Sequence, residues 1–344
     1  MKPIKLTIIL LTLYLPVECF SQAGKGIFQV LDLPMDARSI SFGGTNVSLF
    51  DGDLNLALNN PALLSDKSHN LLTLNYSNYL ANTGFGSVGY SRTFGKNNFA
   101  VAVNYIDFGK FKEYDAQDVY RGDFTAKDIA LSILYSRQFG KFFSVGAAMK
   151  PVFSAYERYS SFGLAFDFGA NYHNDSLLLD LGLAVKNIGF QFNGYYSMDG
   201  YQHREAIPIN ILFGISKKLK KAPLRFTLTL HNLQQFNLNY ERTSVTDKEY
   251  NKVYGIKWYD MMFRHVIFGV EILPTKNLYF SAAFNYRRRA EMNIPAFRTI
   301  AGFSFGAGLK IKMFRVGFSL AQFQSGNLTY HVTLSTDMKG FGVK

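Results

Sequence analysis

The chain has 344 residues, a formal charge of +12, 16% aromatic residues and one cysteine, Cys19. A single cysteine excludes a disulfide-stapled secreted domain, and no run of eighteen consecutive apolar residues is present to cross a membrane as a helix. A basic balance suits nucleic acid only with a matching motif. None accompanies it here, and much of the charge is spread over scattered positions such as Lys96, Lys141, Lys217, Lys218, Lys276 and Lys310, a distribution that suits anionic lipid headgroups better than nucleic acid.

Residues 1–23 read as a secretory signal. Lys2 and Lys5 precede an apolar core from Leu6 to Leu15, and small-x-small sites come next at Cys19-Phe20-Ser21 and Ser21-Gln22-Ala23. Glu18 stands where a lipobox needs a small residue, which argues against lipidation of Cys19. Cleavage after Cys19 leaves a mature chain without cysteine and lowers the charge from +12 to +11 through loss of Lys2, Lys5 and Glu18.

Residues 24–68 carry scattered apolar side chains (Leu31, Leu33, Met35, Ile40, Phe42, Val47, Leu49, Phe50) and a helical-looking run, Leu54–Leu64, broken at Pro61. Too apolar for a disordered leader, the segment is expected to sit as a plug inside the larger unit formed by the rest of the chain.

From Leu71 onward the pattern changes to strict alternation. Fourteen segments begin near Leu71, Gly86, Phe99, Ile129, Phe143, Phe162, Leu178, Ile209, Phe226, Val266, Leu278, Ala301, Phe314 and Leu328. In Phe314–Leu320 the residues Phe314, Val316, Phe318 and Leu320 share one face, while Arg315, Gly317 and Ser319 share the other, as successive side chains of a strand must. Short connectors come after even-numbered segments. Long or variable ones come after odd-numbered segments: Asp107–Lys127, Phe190–Ala206, Asn237–Arg264 and Arg287–Ile300, with tighter hairpins near Leu80–Thr83, Tyr156–Ser161 and Gln324–Asn327. Connectors sorted by length to two rims belong to outer-membrane barrels, with the long loops outside and both termini on the periplasmic side. The expected fold is therefore all-β: a fourteen-stranded antiparallel transmembrane barrel over residues 69–344 in the outer membrane of a Gram-negative bacterium, its lumen filled by the plug.

Asp36-Ala37-Arg38-Ser39 and Phe42-Gly43-Gly44-Thr45, with Asn60-Pro61-Ala62 after them, form a further signature. Gly43 and Gly44 permit a close turn, and Pro61 makes Asn-Pro-Ala rigid. Box, turn and the next strand resemble the FadL-like outer-membrane proteins, and within them the PorV/PorQ family of the type IX secretion system, with most similarity to its PorQ branch. That resemblance implies Arg38, Gly43, Gly44, Asn60, Pro61 and Ala62 as a structural plug motif. It also implies a non-enzymatic component that docks a PorZ-like surface protein and its attachment complex, beside lipopolysaccharide. The alternative is a FadL-like channel for hydrophobic small molecules, with Gly163, Gly169, Gly182 and Gly189 as places for a bend that opens the wall.

No catalytic, metal or cofactor site is expected. Histidines lack metal spacing, and neither Ser-x-x-Lys nor Lys-Thr-Gly occurs. His231 shares its strand face with Thr227 and Thr229, and His331 with Thr329 and Thr333; both read as polar lumen residues. Asp167, Asp180 and Lys186 are lumen-facing charges expected to pair with one another or with the plug. Partner-binding candidates fall in the long loops. Tyr254, Trp258 and Tyr259 are either docking anchors or interfacial girdle residues. Arg287, Arg288 and Arg289, at a strand end, offer guanidinium forks to lipopolysaccharide phosphates or an acidic partner, or neutralise lipid headgroups.

Overall fold

The computed structural model describes residues 26–78, 83–195, 197–198, 201–202, 204–238, 257–292, 299–324 and 327–342. Fourteen strands form one closed barrel: β1 (Leu71–Asn78), β2 (Gly84–Phe94), β3 (Asn97–Tyr114), β4 (Tyr120–Phe139), β5 (Phe143–Tyr156), β6 (Tyr159–Asn174), β7 (Leu179–Asn193), β8 (Asn210–Lys218), β9 (Leu224–Leu230), β10 (Val266–Ile272), β11 (Leu278–Asn285), β12 (Phe303–Ile311), β13 (Phe314–Gln324) and β14 (Asn327–Asp337). Each pairs antiparallel with its sequence neighbours, and β1 closes on β14 from Leu71↔Asp337 to Asn78↔Tyr330. Every strand expected from alternation is present.

The alternation sets the two faces. On β13 and β14, Val316, Phe318, Tyr330 and Val332 are exposed outward, while Ser319, His331 and Thr333 are buried inward. The same outward apolar row continues through Leu74 and Tyr76 on β1, Val101 and Tyr105 on β3 and Phe303 and Phe305 on β12. A closed barrel with an apolar exterior is the form in which strands cross a bilayer, because closure leaves no backbone group unpaired in hydrocarbon.

One expected loop is mostly strand. Within Asp107–Lys127, β3 and β4 continue to Tyr114 and from Tyr120, pairing with each other beyond the point where β2 (to Asp107) and β5 (to Ala126) have stopped. Cross-strand aromatic pairs hold this projecting hairpin: Phe111 stacks on Phe124 at 5.3 Å and Tyr114 meets Tyr120 at 5.9 Å. Strand lengths differ sharply around the ring. The strands β3 to β7 run 14 to 20 residues, whereas β9, β10 and β11 have 7, 7 and 8.

The core lies inside the ring. Residues 26–70 fold as short pieces rather than one helix: α1 (Ala37–Ser41), α2 (Leu54–Ala57) and a 3-10 turn at Pro61–Leu63. Asp36 caps α1 by accepting from the Ser39 amide at 2.7 Å, and Asp53 caps α2 by accepting from Asn55 at 3.0 Å. Leu49, Leu54, Leu56, Leu63 and Leu64 pack with the inward residues Ala100, Leu134 and Ala148 at one end. Phe28, Val30 and Leu31 pack with Ile106, Val152 and Ala165 at the other.

Candidate functional site

Paired glycines in the wall receive the N-terminal segment. Gly146 on β5 lies across the ladder from Gly169 on β6, and a Cβ on Gly146 would stand 2.5 Å from the Pro61 carbonyl carbon. Asn60 locks the turn in place. Its side-chain carbonyl accepts from the Ala62 amide at 3.1 Å, and its amide donates to Val47 at 2.7 Å and to Ala170 on β6 at 3.3 Å. A second pair, Gly182 on β7 opposite Gly214 on β8, faces Val47 and Ser48, and the Ser48 and Ser216 hydroxyls meet at 2.6 Å. Gly169 and Gly182 therefore serve as seats for the segment. Gly163 lies under the Phe28 ring, and the ladder through Gly189 remains paired.

Toward the rim of short turns, charge fastens the same segment. Arg38 on α1 donates to Asp51 at 2.5 Å and to Glu271 on β10 at 3.0 Å, with its guanidinium 4.6 Å from the Tyr279 ring centre. Arg225 on β9 completes the cluster, 3.1 Å from Glu271 and 3.5 Å from Asp51. Burial alone would raise the Asp51 carboxyl, yet Arg38 and Arg225 hold it below its usual range. Glu271 and Arg225 are site residues that alternation alone passes over. Their signal was a charge at an inward position of a strand otherwise apolar or small, as in Val266-Ile267-Phe268-Gly269-Val270-Glu271-Ile272.

A cavity of about 440 Å³ remains between the segment and the wall, at the rim of the long connections. Leu33, Pro34, Leu212, Ile267 and Met292 supply its apolar lining, and Asp32, Lys186, His231, Asn285 and Arg288 its polar groups. Asp32 belongs to the segment; its carboxylate accepts from Asn187 at 2.6 Å, and burial raises its pKa against the opposing pull of Lys186 and Lys150. His231 is buried where β9 meets the cavity, its Nδ1 3.1 Å from the Asn232 side-chain oxygen.

The lumen-facing charges pair in part. Asp167 forms an ion pair with Lys150 and accepts from the Asn187 amide at 2.8 Å, Asp180 contacts His173, and Lys186 borders the cavity. His331 is buried on the inner face, bonded to Ser77 (2.5 Å) and Thr329 (3.0 Å), with Thr329 and Thr333 beside it.

Among the loop candidates, Tyr254 lies outside the described residues. Trp258 and Tyr259 begin a helix, α3 (Trp258–Arg264), and are exposed. The three arginines do not end a strand as expected; they lie on α4 (Tyr286–Glu291), capped by Asn285. Arg287 pairs with Glu291 at 2.6 Å. Arg288 donates to the Gly43 carbonyl at 3.2 Å and covers the Phe323 ring at 4.1 Å, and Arg289 donates to the Thr299 carbonyl at 2.7 Å. Their forks are thus engaged with the chain itself, and Arg288 reaches inward to hold the Gly43-Gly44 turn. That turn takes φ of 84° and 113°, angles glycine adopts without strain.

No protein-family model matches the chain, and no curated protein matches it in sequence. Solved structures do match in shape. A deltaS2 mutant of the TodX monoaromatic hydrocarbon channel is 13% identical over 88% of this chain and 97% of its own, with a TM-score of 0.53. The CymD monoaromatic hydrocarbon channel is 11% identical over 90% of this chain and 97% of its own, at 0.51. A FadL homologue from Pseudomonas aeruginosa is 13% identical over 89% and 97%, at 0.47. The class defined by the fold is a closed, fourteen-stranded antiparallel β-barrel, shared with the first two structures.

Proposed function

We propose that the protein is an outer-membrane channel that admits small molecules with a largely apolar body, with residues 24–68 as its stopper. The observation that carries this reading is the cavity of about 440 Å³ between segment and wall, within the range of small-molecule sites. It lies in a fold shared with two monoaromatic hydrocarbon channels. Its mixed lining suits a compact apolar body bearing one polar group, the apolar side against Leu212 and Ile267 and the polar side against Lys186 and Arg288. The seats and the charge cluster support a stopper that is held firmly. The reading is of a channel that passes its ligand unchanged, without catalysis.

Purified barrel should bind the fluorescent probe N-phenyl-1-naphthylamine saturably. Leu212→Trp or Asn210→Phe, which fill the cavity, should abolish that binding while the barrel keeps its heat-resistant mobility on gels. Non-saturable binding by the natural protein, or unchanged binding in both filled variants, would sink the reading.

One observation favours a second reading, docking of a surface protein, which the sequence resemblance alone would make a PorZ-like protein of type IX secretion. The β3–β4 hairpin projects beyond its neighbours and exposes Phe111, Tyr114, Val119 and Tyr120, an aromatic surface of the kind enriched at interfaces. Deleting residues 110–125 should then release the surface protein into the medium and leave the barrel in the membrane. A surface protein retained on the deleted barrel removes this reading.

A further inference from the structure

We infer that α3 lies against the bilayer and completes the lipid-facing belt where the barrel strands are shortest. Two observations carry the inference. The first is height. A transmembrane strand needs about 9–11 residues and the apolar band of a barrel is about 25 Å tall. The seven residues of β9 and of β10, lengthened by one paired residue at each end through the His231–His265 and Leu273–Pro223 backbone bonds, climb about 23 Å at a rise of about 3.4 Å and a tilt of about 40°. That sector of the wall only just reaches the band, while β3 to β7 exceed it.

The second observation is continuity. On the outer wall Phe226 stacks with Phe268 at 6.2 Å, and Phe268 pairs across the ladder with Phe284. Phe284 meets Tyr286 at 6.4 Å, and Tyr286 meets Phe263 of α3 at 5.6 Å. The apolar exterior therefore climbs without interruption from the strands onto the helix. There Trp258, Tyr259, Met262 and Phe263, spaced i, i+1, i+4 and i+5, form one outward face at 68%, 46%, 51% and 54% exposure. The opposite side is anchored: Met261 is buried, and Asp260 accepts from Arg264 at 2.9 Å and from the Tyr286 hydroxyl at 2.5 Å. Four large apolar side chains on one short helix, left bare to water, are costly; at the boundary of headgroups and acyl chains they are stable, with Trp and Tyr at their preferred depth. Lys257, 5.7 Å from the Tyr259 ring, reaches toward the headgroup phosphates. The occupant is lipid, independent of what passes through the lumen; the inference rests only on the barrel spanning a bilayer.

Trp258 is the sole tryptophan, so its emission reports this contact directly. The full protein is reconstituted in phosphatidylcholine vesicles whose acyl chains are brominated at shallow, middle or deep positions. Emission should be blue-shifted and lost most strongly with the shallow bromines, and aqueous iodide should quench it weakly. Strong iodide quenching without bromine quenching would place the helix in water and overturn the inference. Protection from both quenchers would mean that the chain's own residues cover the helix, which overturns it equally. Phe305→Trp in the Trp258→Phe background serves as the control, because its emission must respond to brominated lipid if the barrel spans the bilayer at all. A responsive control with a silent Trp258 refutes the helix placement alone.

Discussion

Arg38, on the first helix of the N-terminal segment, donates at 3.0 Å to Glu271, a fully buried carboxylate on the barrel wall 233 residues later in the chain. Removing one member of a buried pair costs more than the pair contributes, because the other is left charged and dry. Arg38→Ala should therefore destabilise the docked segment by about 3 kcal/mol, the lower end of the range for such losses because Arg225 still serves Glu271. Limited proteolysis should cut the released segment, and the Arg38→Met/Glu271→Met double variant should resist better than Arg38→Ala. Equal proteolysis of the double variant and Arg38→Ala would show that the pair does not hold the segment.

The glycine seats predict a steric effect. A Cβ at Gly169 would fall 3.1 Å from the Ala62 amide, and one at Gly146 falls closer still to Pro61. Gly146→Leu should expel the Asn60-Pro61-Ala62 turn, leaving a heat-resistant barrel that conducts ions in planar bilayers where the natural protein is nearly silent. A silent Gly146→Leu barrel would mean that the turn does not seal the lumen.

The two faces of β13 predict opposite responses to polarity. Val316→Arg, on the outer face, should cost about 2–4 kcal/mol if it lies near the bilayer midplane. Ser319 faces inward with its hydroxyl buried and without a hydrogen-bond partner among the described residues. Ser319→Ala should thus be neutral within about 0.5 kcal/mol, since no bond is lost. Urea unfolding from vesicles measures both, and a costly Ser319→Ala would place that face elsewhere.

Asp36 predicts a pH dependence. Burial, aided by Asp53, pushes its carboxyl from 3.8 up to about 6, against the bonds from Ser39. The folded protein then holds this proton up to about pH 6 and the unfolded chain only to about 3.8, so stability falls as pH rises across that window. Asp36→Asn keeps the helix cap and removes the charge. It should raise stability at pH 7.5 by no more than about 3 kcal/mol and flatten the change between pH 4 and 6 in the temperature at which heat-resistant mobility is lost. An unaltered slope would assign the dependence to other carboxylates.

The barrel was legible in the sequence because its rules are local. A period of two shows in any eight residues, as in Phe314–Leu320, and antiparallel neighbours need only short turns such as Gly95-Lys96 or Lys312-Met313 between them. These local rules determine the number of strands, their faces and the sorting of connectors. The lumen was not legible, because each of its contacts joins residues far apart in the chain. Asn60 reaches Ala170, Ser41 reaches Ser281 and Arg38 reaches Glu271, and a periodicity cannot say which inward position meets which part of the segment. The arginines of α4 show the same division. Their charge and their place at a rim could be read directly, but only the packed structure turns Arg288 inward to Gly43 and closes Arg287 on Glu291. Strand length as a measured height, and with it the role of Trp258 and Phe263, likewise awaited the closed ring, since a wall is short only by comparison with the strands that stand around it.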